Sequence, residues 1–225
     1  MKNLTARAWI ALAVLAGVMG LLIFLTAGTV HYWQAWVYLS IFFGAAALTT
    51  RYLIRNDQAL LERRMSGGPT AEKRATQKFI MVFTSLGFIA LLVVPALDRR
   101  YEWSTVPLSG VLAGDALVAI GFYFIFLVYR ENTFTSATIE VAADQKVIST
   151  GPYAIVRHPM YASASLYLLG TPLALGSYWG LVPLGATLPF LIWRLFDEER
   201  LLREQLPGYK EYQQKVRYRL VPQIW

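Results

Sequence analysis

Arg157, His158, Pro159, Met160 and Tyr161 follow one another in the stretch GPYAIVRHPMY, which closes a polar loop and opens a long apolar run. His158 is one of only two histidines in the chain. A proline suits the first turn of a helix, because the N–H it lacks has no partner there. His158 then falls at the cap, beside free backbone N–H groups and a partial positive charge. Tyr161 lies three residues on, over the same face. A helix start of this kind is a polar pocket that tolerates an anion. The same residues also suit an ordinary membrane boundary, with an arginine reaching lipid phosphates, a tyrosine in the aromatic belt and a capping histidine.

A second set of chemical groups stands in WRLFDEERLL. Arg194 and Glu198 are four apart and share one helix face, while Glu199 points elsewhere by about 100°. Ionisable groups at a membrane boundary are candidates for function. The plain alternative is a solvated pair worth about 0.3–0.5 kcal/mol. The two clusters lie at the two ends of one apolar stretch. If that stretch folds back on itself, they meet at one face, where basic and acidic groups together can hold a zwitterion.

The elements that must position them follow from composition. The 225 residues are 56% hydrophobic with a mean hydropathy of +0.43, too apolar for a soluble domain. Ala8–Thr50, Phe79–Leu97 and Met160–Trp193 carry no charged side chain with His31 neutral. A bilayer core of about 30 Å needs roughly 20 helical residues per crossing. The chain therefore reads as an all-α polytopic membrane protein and a single domain, 1–225. Spans are expected at Arg7–Val30, Trp33–Ile54, Gln77–Leu97 and Pro107–Tyr129. The last apolar run is too long for one span, and GTPLALGSYWG at its centre breaks it. It reads as a hairpin of Pro159–Leu175 and Tyr178–Phe196, giving six crossings, or five if the hairpin does not fully cross. The N-terminal run is longer than a signal peptide's apolar core and reads as the first span.

With that count, all 21 Lys and Arg except Arg99 and Arg100 fall on one side. Both termini and the two clusters are then expected in the cytoplasm. The net charge of +7 fits loops facing anionic lipid and requires no nucleic acid. The absence of cysteine excludes disulfides and thiolate chemistry, and two histidines are too few for a histidine metal centre, so no metal site is expected. Between Arg130 and Pro159, TIEV and KVIS read as short β-like pieces around AADQ. Beyond Phe196 the apolar residues recur at near-helical spacing among charges, an amphipathic helix broken at Pro207-Gly208. Asp115, about two turns inside the fourth span, is expected to be buried and paired.

GPYAIVRHPMY, an apolar hairpin, then DEERLL and YKEYQQKV together resemble the isoprenylcysteine carboxyl methyltransferase and phospholipid methyltransferase superfamily over roughly Thr133–Pro222. Its members are integral membrane enzymes that use S-adenosylmethionine, leaving S-adenosylhomocysteine. The resemblance implies a cofactor pocket formed by Gln145, Lys146, Val147, Ile148 and Tyr153 from the loop, by His158, Pro159, Met160 and Tyr161, and by the pair Glu198 and Glu199. It implies Arg194 and Glu198 as catalytic residues, with Arg194 contacting the acceptor. The glycine that closes the motif is Ser163 here, and LPGYKEY is one residue shorter than the usual stretch.

Chemistry fits this role. A glutamate pairs with the cofactor's ammonium, and helix-start N–H groups suit its carboxylate. Methyl transfer is a displacement at carbon that needs in-line approach and exclusion of water, so positioning supplies much of the rate. The acceptor is expected to be lipid-like and reached from the bilayer, with membrane lipids as the surroundings. An isoprenylated cysteine carboxylate, a phospholipid amine and a small thiol stay open. Two other readings stand beside it: a membrane sterol-type reductase using NADPH, and a non-catalytic membrane component.

Overall fold

The computed structural model describes residues 2–68, 70–72, 74–142 and 144–225. Lys73, counted above among the basic residues, and Ala143, inside AADQ, lie outside them. The chain folds as α1 (Lys2–Ala27), α2 (Trp33–Asn56), α3 (Gln58–Met65), α4 (Ala75–Tyr101), α5 (Leu108–Glu131), a 3₁₀ turn (Gly151–Ala154), α6 (Pro159–Ala174), α7 (Leu181–Gln205) and α8 (Tyr209–Lys215). The four long apolar runs became α1, α2, α4 and α5, all long and apolar enough to cross a membrane. At 24–27 residues each measures about 36–40 Å. The protein is an integral membrane protein of the helical, polytopic kind.

α6 and α7, expected as the fifth and sixth crossings, differ from these four. α6 has 16 residues, about 24 Å of helix, and α7 carries Arg194, Asp197, Glu198 and Glu199 along its second half. Their contacts nevertheless run the depth of the bundle. α7 lies antiparallel to α4: Gln77 of α4 donates to Asp197, Gly87 backs onto Thr187, and Pro95 meets Gly180. Gly176, at φ +73°, ends α6 in a conformation that glycine adopts without a Cβ clash. The hairpin tip then packs on the α1–α2 turn, where the Tyr32 hydroxyl donates to the Leu175 carbonyl. It also packs on the end of α4, where buried Asp98 accepts from Ser104 and Ser177.

The closest helix contact is α5 on α6, made by glycine. A Cβ on Gly114 would stand 2.3 Å from the Ala174 nitrogen, one on Gly170 2.6 Å from the Gly114 carbonyl oxygen, and one on Gly121 2.8 Å from the Tyr167 nitrogen. In lipid, apolar side chains gain little by leaving their surroundings, and small residues that let backbones touch replace that gain with dispersion. An aromatic core of Tyr32, Tyr38 and Phe42 fills the space between α1, α2, α4, α5 and α6.

Three local expectations change. α3 lies between the second and third expected spans, outside every helix expected from the sequence. It forms because Asp57 caps it, accepting from the Leu60 N–H at 2.9 Å, and because Leu60 and Leu61 bury against Ala8 and Leu53. TIEV and KVIS form no strand among the described residues. The backbone there is held by side chains instead: Arg63 and Arg64 donate to the carbonyls of Thr133 and Ser136, Arg194 to that of Ala137, and Glu72 accepts from the Ile139 N–H. Asp115 is buried as expected, but neither carboxyl oxygen finds a partner among the described residues. Val111 and Val118, one turn away on the same face, are buried apolar neighbours that offer no donor.

Candidate functional site

The reversal at Gly176 returns α7 to the end of the bundle from which α6 starts, and so brings the two clusters together. α6 opens on His158 without a side-chain cap and with Pro159 in its first turn, as the sequence predicts. The loop after α5 folds over that opening. Between them lies a cavity of about 360 Å³. Gln145, Lys146, Val147, Ile148 and Tyr153 line it from the loop; His158, Pro159, Met160 and Tyr161 from the start of α6; Arg194 and Glu198 from α7.

Glu198 and Tyr161 form one polar wall. The Tyr161 hydroxyl donates to Glu198 Oε2 at 2.7 Å, leaving the second oxygen without a protein donor among the described residues. His158 is buried, and its Nε2 has no hydrogen-bond partner among the described residues; the nearest carboxylate oxygen among them, on Glu199, is 3.6 Å away, beyond a hydrogen bond. The hydroxyl of Tyr209, which also lines the cavity, is likewise buried and without a partner among the described residues. Burial, then the charges of Glu199 and Glu198, push that hydroxyl well above its usual range, so it remains a neutral donor. Two orphaned buried polar atoms beside a half-free carboxylate make a donor set that a polar, zwitterionic ligand satisfies.

Glu199 does not line the cavity. It sits behind the wall, with Oε1 accepting from Arg157 Nε at 2.7 Å and Oε2 from Arg219 Nε at 3.0 Å. Burial alone would raise its pKa; His158, Arg219 and Arg157 together hold it well below the usual carboxylate range. Arg157 also donates through Nη1 to the carbonyls of Val216 and Arg217, at 3.0 and 2.7 Å. The arginine of the motif is therefore spent on the protein. Ser163 turns away too, its hydroxyl donating to the Pro159 carbonyl at 2.6 Å on the face packed against α5. It does not narrow the cavity.

Arg194 lines the cavity but is already engaged. It donates to Gln77 Oε1 at 2.8 Å and to the Ala137 carbonyl at 3.0 Å, and Glu72 Oε1 stands 2.8 Å from Nη2. Sequence reasoning missed Glu72 and Gln77, because nothing local ties a charged connecting segment to a helix more than a hundred residues away. It also missed Arg64, Tyr209 and Tyr212 as lining residues; the signal available was the aromatic pair opening α8.

Beside the cavity lies a second, largely apolar groove of about 380 Å³ between α4, α6 and α7. Thr84, Tyr167, Leu168 and Leu191 line both. Ser85, Gly87, Phe88, Ile89, Leu91, Leu184 and Thr187 complete the groove, and Ile89 on its wall and Leu188 in α7 are exposed on the apolar outer surface.

Residues 109–207, from the start of α5 almost to the break before α8, match the family model of phospholipid methyltransferases. That family falls within the integral membrane methyltransferase superfamily that the sequence resembles. The match begins upstream of the region carrying the resemblance and stops before YKEYQQKV. No curated protein matches the chain.

Proposed function

We propose, from a chain whose residues 109–207 match the family model of phospholipid methyltransferases, that the protein is an S-adenosylmethionine-dependent membrane methyltransferase acting on a lipid-like acceptor. One observation carries this: a polar cavity with an unsatisfied donor set shares a wall with an apolar groove between α4, α6 and α7. A cavity alone fits many polar ligands. A cavity beside an apolar groove fits a polar cofactor meeting an acceptor whose other end belongs in lipid.

S-adenosylmethionine supplies an electrophilic methyl group on a sulfonium centre. Glu198, oriented by Tyr161, is the group to pair with the ammonium. The uncapped start of α6 and His158 suit the carboxylate, and the loop residues Val147 and Ile148 offer an apolar face to the adenosine. The apolar groove presents the acceptor's hydrocarbon, and burial of the wall excludes water from the displacement. A phospholipid amine gains support from the family match. An isoprenylated carboxylate needs no base, whereas a protonated amine does, and the groups lining the cavity that could serve as one are His158 and Glu198.

The test is calorimetric titration of S-adenosylmethionine into detergent-solubilised protein, then incubation with methyl-labelled cofactor and a total lipid extract. His158→Ala and Glu198→Ala are each expected to weaken cofactor binding tenfold or more, about 1.4 kcal/mol. Label is expected in a lipid-extractable product. Unchanged affinity in both variants overturns the assignment.

A further inference from the structure

We infer that the carboxy-terminal tail, residues 216–225, is a strap that positions His158 from behind the cavity, with Arg219 as its positioning residue. This rests on the reading of His158 as a wall of the cofactor site. The tail lies outside the matched region and lines no part of the cavity, so its work must be done through other residues.

The contacts are specific to the motif. The Arg157 N–H donates to the Tyr218 carbonyl at 2.9 Å, and the His158 N–H to the Arg219 carbonyl at 3.0 Å. The tail therefore pairs with the two residues that precede the start of α6. Pro159 restricts the backbone of the residue before it, and His158 stands at φ −122°, ψ 63°, outside the helical and extended basins. A hydrogen bond on its N–H is what holds it there. The side chain of Arg219 completes the hold. It donates to Glu199, the carboxylate that Arg157 grips on its other oxygen and that stands 3.6 Å from His158 Nε2. Two arginines and one carboxylate, largely buried, thus fix the imidazole's surroundings on the side away from the cavity.

The tail is itself made stiff. The N–H groups of Arg219, Leu220 and Val221 all donate to the Trp225 oxygen, at 2.9, 3.0 and 3.1 Å. The Arg219 guanidinium lies over the rings of Phe196 and Trp225, 5.3 and 5.7 Å from their centroids, in cation–π contact. Removing Arg219 releases one oxygen of a buried carboxylate and leaves that charge half paired, which the surroundings relieve by opening to water.

His31→Gln leaves His158 as the sole imidazole, so its acylation by diethyl pyrocarbonate can be followed in the ultraviolet on the full-length protein. In that background Arg219→Gln is expected to speed acylation of His158 tenfold or more. Arg219→Lys, which keeps a charge beside Glu199, is expected to stay within threefold of the parent. Arg217→Gln is expected to change nothing, because Arg217 contributes its carbonyl and its side chain is exposed. An Arg219→Gln variant that reacts at the parent rate overturns the strap, as does acceleration by Arg217→Gln to the same extent. Should Arg219→Gln fail to fold, Trp225→Ala removes only the ring beneath the guanidinium and is expected to accelerate acylation at least threefold; no acceleration overturns the strap equally. Protection of His158 by S-adenosylmethionine is scored separately in the parent. Its absence, with the tail effect intact, refutes the cofactor reading and supports the strap alone.

Discussion

Gly114→Ala is the substitution for which the structure gives the sharpest figure. An added Cβ would lie 2.3 Å from the Ala174 nitrogen and 2.8 Å from the Gly170 carbonyl oxygen. Both are backbone atoms of α6, so no rotamer change relieves the clash; the helices must separate by about 1 Å. Forcing one methyl group into a packed interface costs about 1–3 kcal/mol. The matching control is Gly17→Ala in α1, where no atom of the described residues lies within 4 Å of the added atom and the change gains roughly 1 kcal/mol of helix propensity. Gly114, inside α5, gains the same propensity, so the two alanines are expected to differ by the packing cost alone, about 1–3 kcal/mol, with Gly114→Ala the less stable. For a chain of this length that separates their midpoints by roughly 2–12 °C. Thermal unfolding in detergent, followed by circular dichroism, measures it. If Gly114→Ala melts as high as Gly17→Ala, glycine contact does not hold α5 on α6.

Three other outcomes are expected. Arg194→Lys cannot serve Gln77, Ala137 and Glu72 together, because a lysine lacks the planar fork of donors; faster proteolysis between Asn132 and Ile148 is expected, along with at least tenfold slower methyl transfer. Glu199 contributes a pH-dependent stability: its folded pKa is depressed below the ordinary 4.5, so the contribution is complete above about pH 4.5 and is lost as pH falls below it. The melting temperature of the parent is expected to drop more steeply on acidification than that of Glu199→Gln, and parallel curves refute the assignment. Reporter fusions at the two termini are expected to place both in the cytoplasm, from the concentration of basic residues on one side.

The helices were legible because charge-free length is a strong signal and the bilayer sets it. The hairpin was legible for the opposite reason, since its glycines and proline interrupt an apolar run too long for one helix. The meeting of His158 with Glu198 followed from the hairpin's symmetry and needed no contact information. What escaped was every long-range polar tie. Glu72, Gln77 and Arg219 are ordinary charged or polar residues in polar segments, and no local pattern distinguishes one that grips a distant helix from one that faces water. Glu199 shows the limit well. A helical wheel separates it from Glu198, yet only the path of the tail decides which face looks into the cavity. The strand expectation for TIEV and KVIS failed because β propensity reports a fit to a pleated surface, and here the neighbours are arginine and glutamate side chains.

The loop over the cavity has an implication for the order in which the protein can be made. Its anchors Asp57, Arg63, Arg64 and Glu72 belong to the segment between α2 and α4, and emerge from the ribosome well before the loop itself. A nascent chain that has inserted only its first helices already displays the surface on which the later wall will settle. A fragment restricted to residues 109–207 lacks that surface and lacks α4, the partner of α7. Such a fragment is a recognisable sequence without the means to close its own cavity. Exchange of carboxy-terminal halves between related chains will likewise succeed only when the short helix α3 travels with them.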